Sequence, residues 1–569
     1  MSTPSEVLTQ RLREALAAAG FNPDRGSVMQ ATDTRFGDYQ ANAAMVLAKE
    51  HKSNPRVIAA SILEKLDVSG ISEPPEIAGA GFVNFRLQPE FLSSAISSMA
   101  MDERLGVPAN SAPKKFLIDF SSPNVAKPMH VGHIRSTILG DCIARVARFL
   151  GHDVVADNHI GDWGTQFGKV IYGWKHFLDR NALKKDAISE LVRLYRTVNS
   201  LEETDETIKR ESREELVKLQ SGDPENLAIW KETVELSWRE FEKLYALLDI
   251  QFDERLGESF YNDALAPLCE DLEKRGIAKT SEGALCIFFH GLPALADKPA
   301  IIRKSDGGFL YATTDLATIV HRVHRWNPDE ILYVVGAPQA LHFQQIFATA
   351  AMMGIPCTLR HIAFGSILGE NRKIMKTRSG DNVGLADVLN ESIDRARSIL
   401  SERANHLSPE EKEETAHLIG LGAVKYAELS QNRLTDYVFS WDKLLAFEGN
   451  TAPYLQNAYV RIRSIFRKAD SPIDPTAPVI LSESAERALA LKLLQYAETI
   501  PSVLDDFRPN LLANYLYELA NTYHSFYEAC PVLKSDSATR ASRLVLCDLT
   551  ARTLSHGLGL LGIRCPSRM

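Results

Sequence analysis

The chain has 569 residues, enough for three or four domains, and its 45% hydrophobic and 24% charged residues are typical of a soluble globular protein. A formal net charge of −9 excludes an overall positive field, so nucleic acid could bind only at local basic patches. The seven cysteines form no CxxC pair, which argues against a structural zinc site and predicts a reduced, cytoplasmic protein.

The first part of the chain, residues 1–110, is predicted to be a small α+β domain. Its N-terminal sequence does not predict a signal peptide, because Glu6 and alternating charges interrupt any apolar segment. Apolar runs stay below the length of a membrane span throughout the chain, so no membrane contact is expected. Residue spacing predicts helices over about 5–20, 39–52 and 55–66, and a strand over 81–87.

Residues 111–384 are predicted to form a Rossmann-like domain with a parallel sheet. The first βαβ unit is a strand over 115–120, a helix over 131–150 that Gly151 closes, and a strand over 153–157. Long charged helices over 184–220 and 226–248 then predict an insertion at about 172–298. The second half has strands over 330–336 and 359–364, with a helix over 340–353 between them.

Residues 385–569 are predicted to form an all-α C-terminal domain, with helices over 415–429, 485–499 and 510–530. The predicted fold class is therefore an α/β Rossmann-like parallel-sheet catalytic domain with an insertion, plus a small N-terminal α+β domain and an all-α C-terminal domain.

The strongest motif is His130-Val131-Gly132-His133, at the turn between the first predicted strand and its helix. The helix N-terminus offers free N–H groups and a positive dipole to a phosphate, and Gly132 would let a nucleotide lie against the backbone. Two imidazoles can stabilise the charge of an α-phosphate under attack. The alternative is a pair of helix-capping or metal-binding histidines, although no third ligand has suitable spacing.

The sequence around this motif, SSPNVAKPMHVGHIRST over residues 121–137, resembles the HIGH region of class I aminoacyl-tRNA synthetases in the form found in arginyl-tRNA synthetases. NHIGDWGTQFG over 158–168 and EGNTAPYLQ over 448–456 are similar to two further blocks of that family. The three blocks lie far apart and keep the family's order, so the resemblance covers nearly the whole chain.

The resemblance implies an arginine–tRNA ligase. The carboxylate of L-arginine would attack the α-phosphate of ATP, and the ribose hydroxyl of the terminal adenosine of tRNA(Arg) would then attack the arginyl-adenylate, so that pyrophosphate and AMP are released. Mg²⁺ would arrive with ATP, and no protein-bound metal is expected. The expected partners are tRNA(Arg), L-arginine and ATP, and the protein is expected to be a monomer. Family members characteristically need tRNA for adenylate formation, and the same is expected here.

The resemblance also places a mobile loop that closes over ATP, the KMSKS loop, at Met375-Lys376-Thr377-Arg378-Ser379-Gly380. Taken alone, this segment would be a solvated basic turn. It departs from the class pattern because no lysine stands at the second lysine's place. Our hypothesis is that Lys127, just before the HIGH block, supplies the missing charge.

Site residues follow from the family's motifs. Arginine binding is assigned to Asp119, Ser121, Asn124, His133, Tyr311, Asp315 and Gln339. ATP binding is assigned to His130, Gly132, His133, His342, Met375, Lys376 and Thr377, and catalysis to His130, His133, Lys127, Lys376 and Arg378. Carboxylates suit a planar guanidinium with five donors. Asp119 stands where relatives frequently have glutamate, and Asp315 could also be a helix N-cap.

Contacts with tRNA are assigned by domain. The N-terminal domain resembles the family's elbow-contacting domain, where Tyr39, Asn84 and Phe85 are candidates. The C-terminal domain resembles the anticodon-binding domain, in which four basic residues suit phosphates and two tyrosines could stack on an unpaired base. These residues are Arg461, Arg463, Arg467, Lys468, Tyr454 and Tyr459. Core packing of the aromatic residues and a solvated helix face are the alternatives.

Three other functions are less consistent with the sequence. A nucleotidylyltransferase shares the HxGH logic, but the large helical C-terminal domain argues against it. A non-catalytic synthetase-like binding protein would not need the intact HVGH and MKTRSG segments. A class I synthetase for an apolar amino acid is disfavoured by the acidic residues Asp119 and Asp315.

Overall fold

The computed structural model describes residues 2–33, 35–369, 372–373, 383–404, 406–469 and 473–569. Among the helices in these ranges, none combines the length and the apolar character needed to cross a membrane. The predicted fold class is confirmed, with a small α+β N-terminal domain, a parallel-sheet domain and a helical C-terminal domain.

The N-terminal domain is made of α1 (Pro4–Ala18), β1 (Val28–Gln30), β2 (Tyr39–Ala41), α2 (Ala43–His51), α3 (Pro55–Leu63), β3 (Glu76–Ala78), β4 (Phe82–Phe85) and α4 (Pro89–Met101). Its four strands form an antiparallel sheet of order β1-β2-β4-β3. The helix predicted over 39–52 is wrong at its start, because Tyr39–Ala41 is a strand paired with β4. Three alternating residues are too short a pattern to recognise in sequence.

The first βαβ unit consists of β5 (Lys115–Asp119), α5 (Val131–Phe149) and β6 (Asp153–Asp157), as the sequence predicts. Gly151 follows α5 with a φ of +92°, which is the left-handed conformation that commonly closes a helix. The long helix α5 is buried on nearly every side, and its buried residues include polar ones such as Arg135 and Asp141 as well as Ile138. It therefore holds its N-terminus firmly at the end of β5.

After β6 the chain continues with α6 (Gln166–Phe177), α7 (Arg180–Lys185), α8 (Ala187–Glu202), α9 (Glu206–Gln220), α10 (Pro224–Leu247), α11 (Asn262–Lys274), β7 (Ala278–Ser281), β8 (Ala284–Ile287), β9 (Ala300–Arg303) and α12 (Tyr311–Trp326). The predicted charged helix over 184–220 is divided into α7, α8 and α9. Asp186 and Asp205 break it, because each carboxylate accepts a backbone N–H and begins a new helix. The antiparallel sheet β7-β8-β9 is an addition that the sequence reading missed.

The second half of the parallel sheet consists of β10 (Glu330–Tyr333), α13 (Ala340–Met353) and β11 (Thr358–His361). The strands are all parallel and follow the order β11-β10-β5-β6. Helix α13 has the predicted bounds. The two βαβ halves therefore meet between β5 and β10, where a ligand-binding crevice is expected.

The remaining elements are β12 (Ile367–Leu368), α14 (Leu385–Arg403), α15 (Pro409–Leu429), β13 (Tyr437–Val438), α16 (Trp441–Leu444), α17 (Ala452–Lys468), α18 (Ser484–Leu494), α19 (Tyr496–Asp505), α20 (Pro509–Ala529) and α21 (Ser537–Leu560). The C-terminal domain is nearly all helical as predicted, except that β13 pairs with β12. The helix predicted over 485–499 is two helices, α18 and α19.

Buried polar pairs join the domains. Arg487 of α18 donates to Asp38 in the N-terminal domain, with Nη2 to Oδ2 at 2.6 Å. Arg135 of α5 and Glu428 of α15 form an ion pair of 2.9 Å whose side chains are at most 3% exposed. A continuous hydrophobic core also runs through all three domains. Helix α5 is therefore tied to the C-terminal domain about one turn after its first residue.

Candidate active site

Polar residues end three neighbouring strands of the parallel sheet and lie beneath one cavity. Asp119 ends β5, in register with Asp157 of β6 on one side and Tyr333 of β10 on the other. Ligands of parallel α/β sheets bind outside these carboxyl ends. A cavity of about 620 Å³ lies there, within the size range of small-molecule sites.

The cavity brings together most of the predicted site residues. Its lining includes Asp119, Ser121, Asn124, Gly132, His133, Tyr311, Asp315, Gln339 and His342. These residues come from both βαβ halves and from α12. The fold therefore assembles in one place side chains that are separated by up to 223 positions (from 119 to 342) in the sequence.

Four other predicted residues, Met375, Lys376, Thr377 and Arg378, lie outside the described residues. His130 is not part of the cavity lining, but its ring lies against that of His133, with a centroid separation of 3.9 Å. Lys127 is exposed, and its Nζ lies 6.0 Å from the ring centroid of Tyr195 in α8. Lys127 is thus beside the HVGH segment but directed toward the insertion.

The HVGH segment begins α5 and folds onto itself. Nδ1 of His130 accepts a hydrogen bond from the backbone N–H of Gly132 at 3.1 Å, and the His130 N–H donates to Nδ1 of His133 at 3.1 Å. A neutral imidazole whose Nδ1 accepts carries its proton on Nε2. Each histidine therefore has an Nε2–H group left as a donor. His130 therefore caps α5, as one of the alternatives predicted. Its Nε2–H group is not used in the cap and can still donate to a ligand.

Burial keeps both rings neutral. Burial and then the charge of Lys127 lower the pKa of His130. Burial and then His130 lower the pKa of His133 to about 3, although its backbone hydrogen bond opposes this shift. Uncharged N–H donors suit a site that must bind a phosphate and release it again.

The His130 ring leaves no room for a side chain at Gly132. A Cβ at this position would lie 2.8 Å from Cε1 and 2.9 Å from Nδ1 of the His130 ring. A side chain here would therefore displace the ring that caps α5.

The loop between β5 and α5 is strained and held by many hydrogen bonds. Ser121, Ser122 and Ala126 have φ values of 72°, 45° and 59°, which are uncommon for residues with a side chain. The Ser121 N–H donates to Oγ of Ser136 at 2.9 Å, and the Ser121 hydroxyl lies 2.8 Å from the Tyr245 hydroxyl of α10. Such strain is kept only where the surroundings fix it, and it is common at functional sites.

The second block that resembles the family, residues 158–168, packs directly against this loop. Asn124 and Gly161 form an isolated parallel bridge, and a Cβ on Gly161 would lie 2.4 Å from Oδ1 of Asn124. His159 and Gly161 both line the cavity. The block thus forms one wall of the site.

Glu258 is a cavity residue that the sequence reading missed. It begins a short 3-10 turn, Glu258–Tyr261, held by Asp162, which accepts from the Ser259 N–H at 2.8 Å and the Ser259 hydroxyl at 2.7 Å. Burial, followed by the charges of Asp315 and Asp162, raises the pKa of Glu258 to about 8. A bound cation would favour the ionised form of this carboxyl group, because it offsets the burial and the negative neighbours that raise the pKa.

Asp315 lies across the cavity, one turn after Tyr311 at the start of α12. Its Oδ2 is 2.5 Å from Nε2 of His342 in α13. Its side chain is not at the N-cap position, which belongs to Leu310, so the N-cap alternative is wrong. Tyr311 is 65% exposed and stands at the cavity mouth. A carboxylate and a phenol therefore face the cavity from one side of α12.

Asp119 is already paired within the protein. Its Oδ2 accepts from Nη2 of Arg322 at 2.7 Å, and its Oδ1 accepts from the Ser122 hydroxyl at 2.9 Å. Arg322 also donates through Nε to Oδ2 of Asp157 at 3.0 Å. The contact predicted between Asp119 and a substrate therefore has to be shared with Arg322.

No group of three or more His, Cys, Asp or Glu side chains that could hold a metal ion occurs within the described ranges. The carboxylates of the cavity are instead spread over several walls.

Comparison with known proteins decides the family. The family model for the catalytic domain of class I (R) tRNA synthetases matches residues 95–441, and that for the arginyl-tRNA synthetase N-terminal domain matches residues 6–87. The DALR anticodon binding domain matches residues 455–569. The arginine–tRNA ligase of Synechococcus elongatus is 45% identical, with 100% of both chains covered. The chain belongs to the arginyl-tRNA synthetase family.

Other members of the arginyl-tRNA synthetase family agree over the same length. The arginine–tRNA ligase of Cellvibrio japonicus is 45% identical, and the match covers 99% of each chain. Among solved structures, the arginyl-tRNA synthetase of Plasmodium falciparum has a TM-score of 0.86 at 28% identity with 100% coverage of both chains. That of Thermus thermophilus has a TM-score of 0.83 at 27% identity with 99% coverage of both.

The elbow-contact candidates in the arginyl-tRNA synthetase N-terminal domain are buried. Tyr39 and Phe85 are 0% exposed and Asn84 is 6% exposed, so the core-packing alternative is the right one for all three. The Tyr39 hydroxyl donates to Glu498 of α19 at 3.0 Å, which is an interdomain contact. Phe36, in contrast, is 58% exposed, and a ligand could reach its ring.

The basic residues of the anticodon-binding domain are only partly gathered. Arg461 and Lys468 line a pocket on α17 and α20 together with Tyr454, Tyr523 and Tyr527. Arg463 is turned toward Asp548 at 3.9 Å, and Tyr459 packs against the core. The structure thus brings Tyr454, Arg461 and Lys468 together, and it separates Arg463 and Tyr459 from them.

Proposed function

We propose that this protein activates L-arginine with ATP and transfers the arginine to the terminal adenosine of tRNA(Arg). The proposal rests mainly on one cavity at which the N-terminus of α5 brings His133, with the ring of His130 behind it, while the walls carry the carboxyl groups of Glu258 and Asp315. Donors and positive dipole suit phosphates, and carboxylates suit a guanidinium.

We call His130, Gly132 and His133 the nucleotide end of the cavity. Here the α5 N-terminus and the two Nε2–H groups bind the triphosphate of ATP and stabilise the charge that develops on the α-phosphate. His342 is proposed to contact ATP as well, once its hydrogen bond with Asp315 is exchanged. The amino-acid carboxylate is the nucleophile, so the protein has to position groups and stabilise charge.

We call Glu258, Tyr311 and Asp315 the amino-acid end. The arginine side chain donates to the carboxylates of Glu258 and Asp315, and Tyr311 closes the mouth over it. Ser121, Asn124, His133 and Gln339 are proposed to bind the backbone groups of the amino acid. Binding of the guanidinium offsets the repulsion between Glu258 and Asp315, which favours a cation over a neutral amino acid.

Met375, Lys376, Thr377 and Arg378 are proposed to close over ATP, with Mg²⁺ brought by the nucleotide. Lys127 is proposed to supply the positive charge that the loop lacks at the place of its second lysine. Its exposed position beside His130 is consistent with this role. Replacing Lys127 with Met is expected to raise the KM for ATP without changing that for arginine.

For tRNA binding, we propose that residues 1–110 contact the elbow, residues 111–384 hold the terminal adenosine and residues 385–569 bind the anticodon. The pocket of Tyr454, Arg461 and Lys468 would bind an unpaired anticodon base and its phosphates. The exposed ring of Phe36 is the better elbow candidate in the N-terminal domain. A cytoplasmic monomer stays a prediction, and the state of assembly can be measured by light scattering.

The test is charging of total tRNA with each of the twenty amino acids, by the unaltered protein and by His133→Ala. Arginine-only charging that His133→Ala abolishes would support the proposal. His417→Ala is the matched control, because His417 lies on α15 and pairs with Glu413 far from the cavity. Charging with another amino acid, or none by a folded protein, would overturn the proposal.

A further inference from the structure

Beneath the amino-acid end lies a row of buried polar side chains at the ends of three strands. Asp157, Asp119 and Tyr333 stand side by side on β6, β5 and β10. Arg322 of α12 lies across them. Its guanidinium carbon is 5.4 Å from the ring centroid of Tyr333, and its side chain is 0% exposed.

Arg322 bridges both carboxylates. Its Nη2 lies 2.7 Å from Oδ2 of Asp119 and 2.8 Å from Oδ2 of Asp157, and its Nε donates to the same Asp157 oxygen at 3.0 Å. Asp157 is 0% exposed and Asp119 is 5% exposed. Two carboxyl groups and one guanidinium have a formal excess of one negative charge under a cavity proposed to bind a cation.

Hydrogen bonds connect Asp119 to the cavity wall. The second oxygen of Asp119 accepts from the Ser122 hydroxyl at 2.9 Å, and Oγ of Ser122 accepts from the His159 N–H at 3.2 Å. Both oxygens of Asp119 are thereby fixed, and Ser122 is the residue held at a φ of 45°. Ser122 and His159 line the cavity beside Asn124.

We infer that Arg322 is a positioning residue for amino-acid binding, which holds Asp119 and, through it, Ser122 and His159 in the geometry that arginine requires. The inference rests on the proposed function, since it concerns the floor of the proposed arginine site. Arg322 itself touches no substrate. It acts on the affinity for the amino acid, while the nucleotide end stands on α5 and does not depend on it.

The first experiment measures steady-state charging by Arg322→Met and Arg322→Lys. The KM for arginine rises roughly 10- to 100-fold in Arg322→Met, the size of a lost charged hydrogen bond, and the KM for ATP stays within about twofold. Arg322→Lys keeps the charge but is shorter and lacks the Nε–H that donates to Asp157, so its KM for arginine is intermediate. Arg325→Met is the matched control, because Arg325 is one turn away, half-exposed and paired with Glu254.

The second experiment is a double-mutant cycle between Arg322→Met and Asp119→Asn. Because one residue acts through the other, the double variant has a KM for arginine no higher than that of the worse single variant. If Arg322→Met does not fold, the same cycle with Arg322→Lys decides the question.

Three outcomes overturn the inference. They are an unchanged KM for arginine in Arg322→Lys, equal rises in the KM values for arginine and ATP, and effects of Arg322 and Asp119 that multiply independently. If the unaltered protein charges no arginine, the proposed function fails. If it charges arginine while the Arg322 variants keep its KM, only this inference fails.

Discussion

At the nucleotide end of the cavity, four consecutive residues begin a helix, and their side chains and backbone groups bond to one another. At the amino-acid end, Glu258 comes from the end of the insertion and Tyr311 and Asp315 from α12, and each is held by residues from further segments. The nucleotide end is thus encoded locally, whereas the amino-acid end exists only when the whole domain is folded. A chain built in this way can change its amino-acid specificity without disturbing its phosphate chemistry.

The largest expected effect is at the nucleotide end. His133→Ala removes an Nε2–H donor and the acceptor for the His130 N–H, so we expect kcat to fall roughly 100- to 1,000-fold. The KM for arginine should rise by a smaller factor, because His133 is only one of four residues proposed to bind the backbone groups of the amino acid. Pyrophosphate exchange in the presence of tRNA measures both. A fall of less than about fivefold would show that the HVGH segment does not stabilise the transition state.

At the amino-acid end, Glu258→Gln removes a charged acceptor but keeps the size of the side chain. We expect the KM for arginine to rise roughly 10- to 100-fold with little change in the KM for ATP, since one charge-assisted hydrogen bond is lost. Glu240→Gln on the exposed face of α10, where Glu240 pairs with Lys243, is the control. A rise in the KM for ATP alone would contradict the division into two ends.

The pH dependence of the KM for arginine should report Glu258. Burial, followed by the charges of Asp315 and Asp162, raises the pKa of Glu258 to about 8 in the empty site. A cation binds the ionised form, so the KM for arginine should fall about tenfold between pH 7 and pH 9 as Glu258 loses its proton. Glu258→Gln should lose this component, while any dependence that comes from the substrate's own amino group remains in both proteins.

Two glycine substitutions give a smaller and more selective comparison. Gly132→Ala places a Cβ 2.8 Å from the His130 ring, and Gly161→Ala places one 2.4 Å from Oδ1 of Asn124. We expect roughly tenfold effects, on the KM for ATP in the first variant and on the KM for arginine in the second. Gly559→Ala on α21, where a Cβ meets nothing within 4 Å, is the control. If Gly132→Ala and Gly161→Ala changed the KM values for ATP and arginine identically, the division of the cavity into two ends would be wrong.

The sequence predicts the locally encoded features well. The βαβ unit, the Gly151 cap and the position of the HVGH segment follow from periodicity and end signals within a few tens of residues. Asp157 could also have been found, because it ends the strand next to Asp119. Arg322 could have been found as well, since it lies seven positions, or two helical turns, after Asp315 and therefore on the same face of the helix.

Glu258 could not be found in this way. It follows Gly257 in an irregular segment, and its place in the cavity depends on the bond between Asp162 and Ser259, 97 positions apart. Tyr39 was misjudged for a related reason, because its partner Glu498 lies in another domain. Contacts between segments that are far apart in the sequence determine where these side chains lie. Such contacts leave no periodic pattern in the sequence from which they could be predicted.

Charge at the amino-acid end is expected to select the substrate. The most direct measurement is the ratio of kcat/KM for arginine to that for citrulline, whose ureido group has nearly the same shape but carries no charge. We predict a ratio of roughly 10⁴ or more, because citrulline would leave the carboxylates of Glu258 and Asp315 without a cation. Citrulline charging within about tenfold of arginine charging would contradict the account.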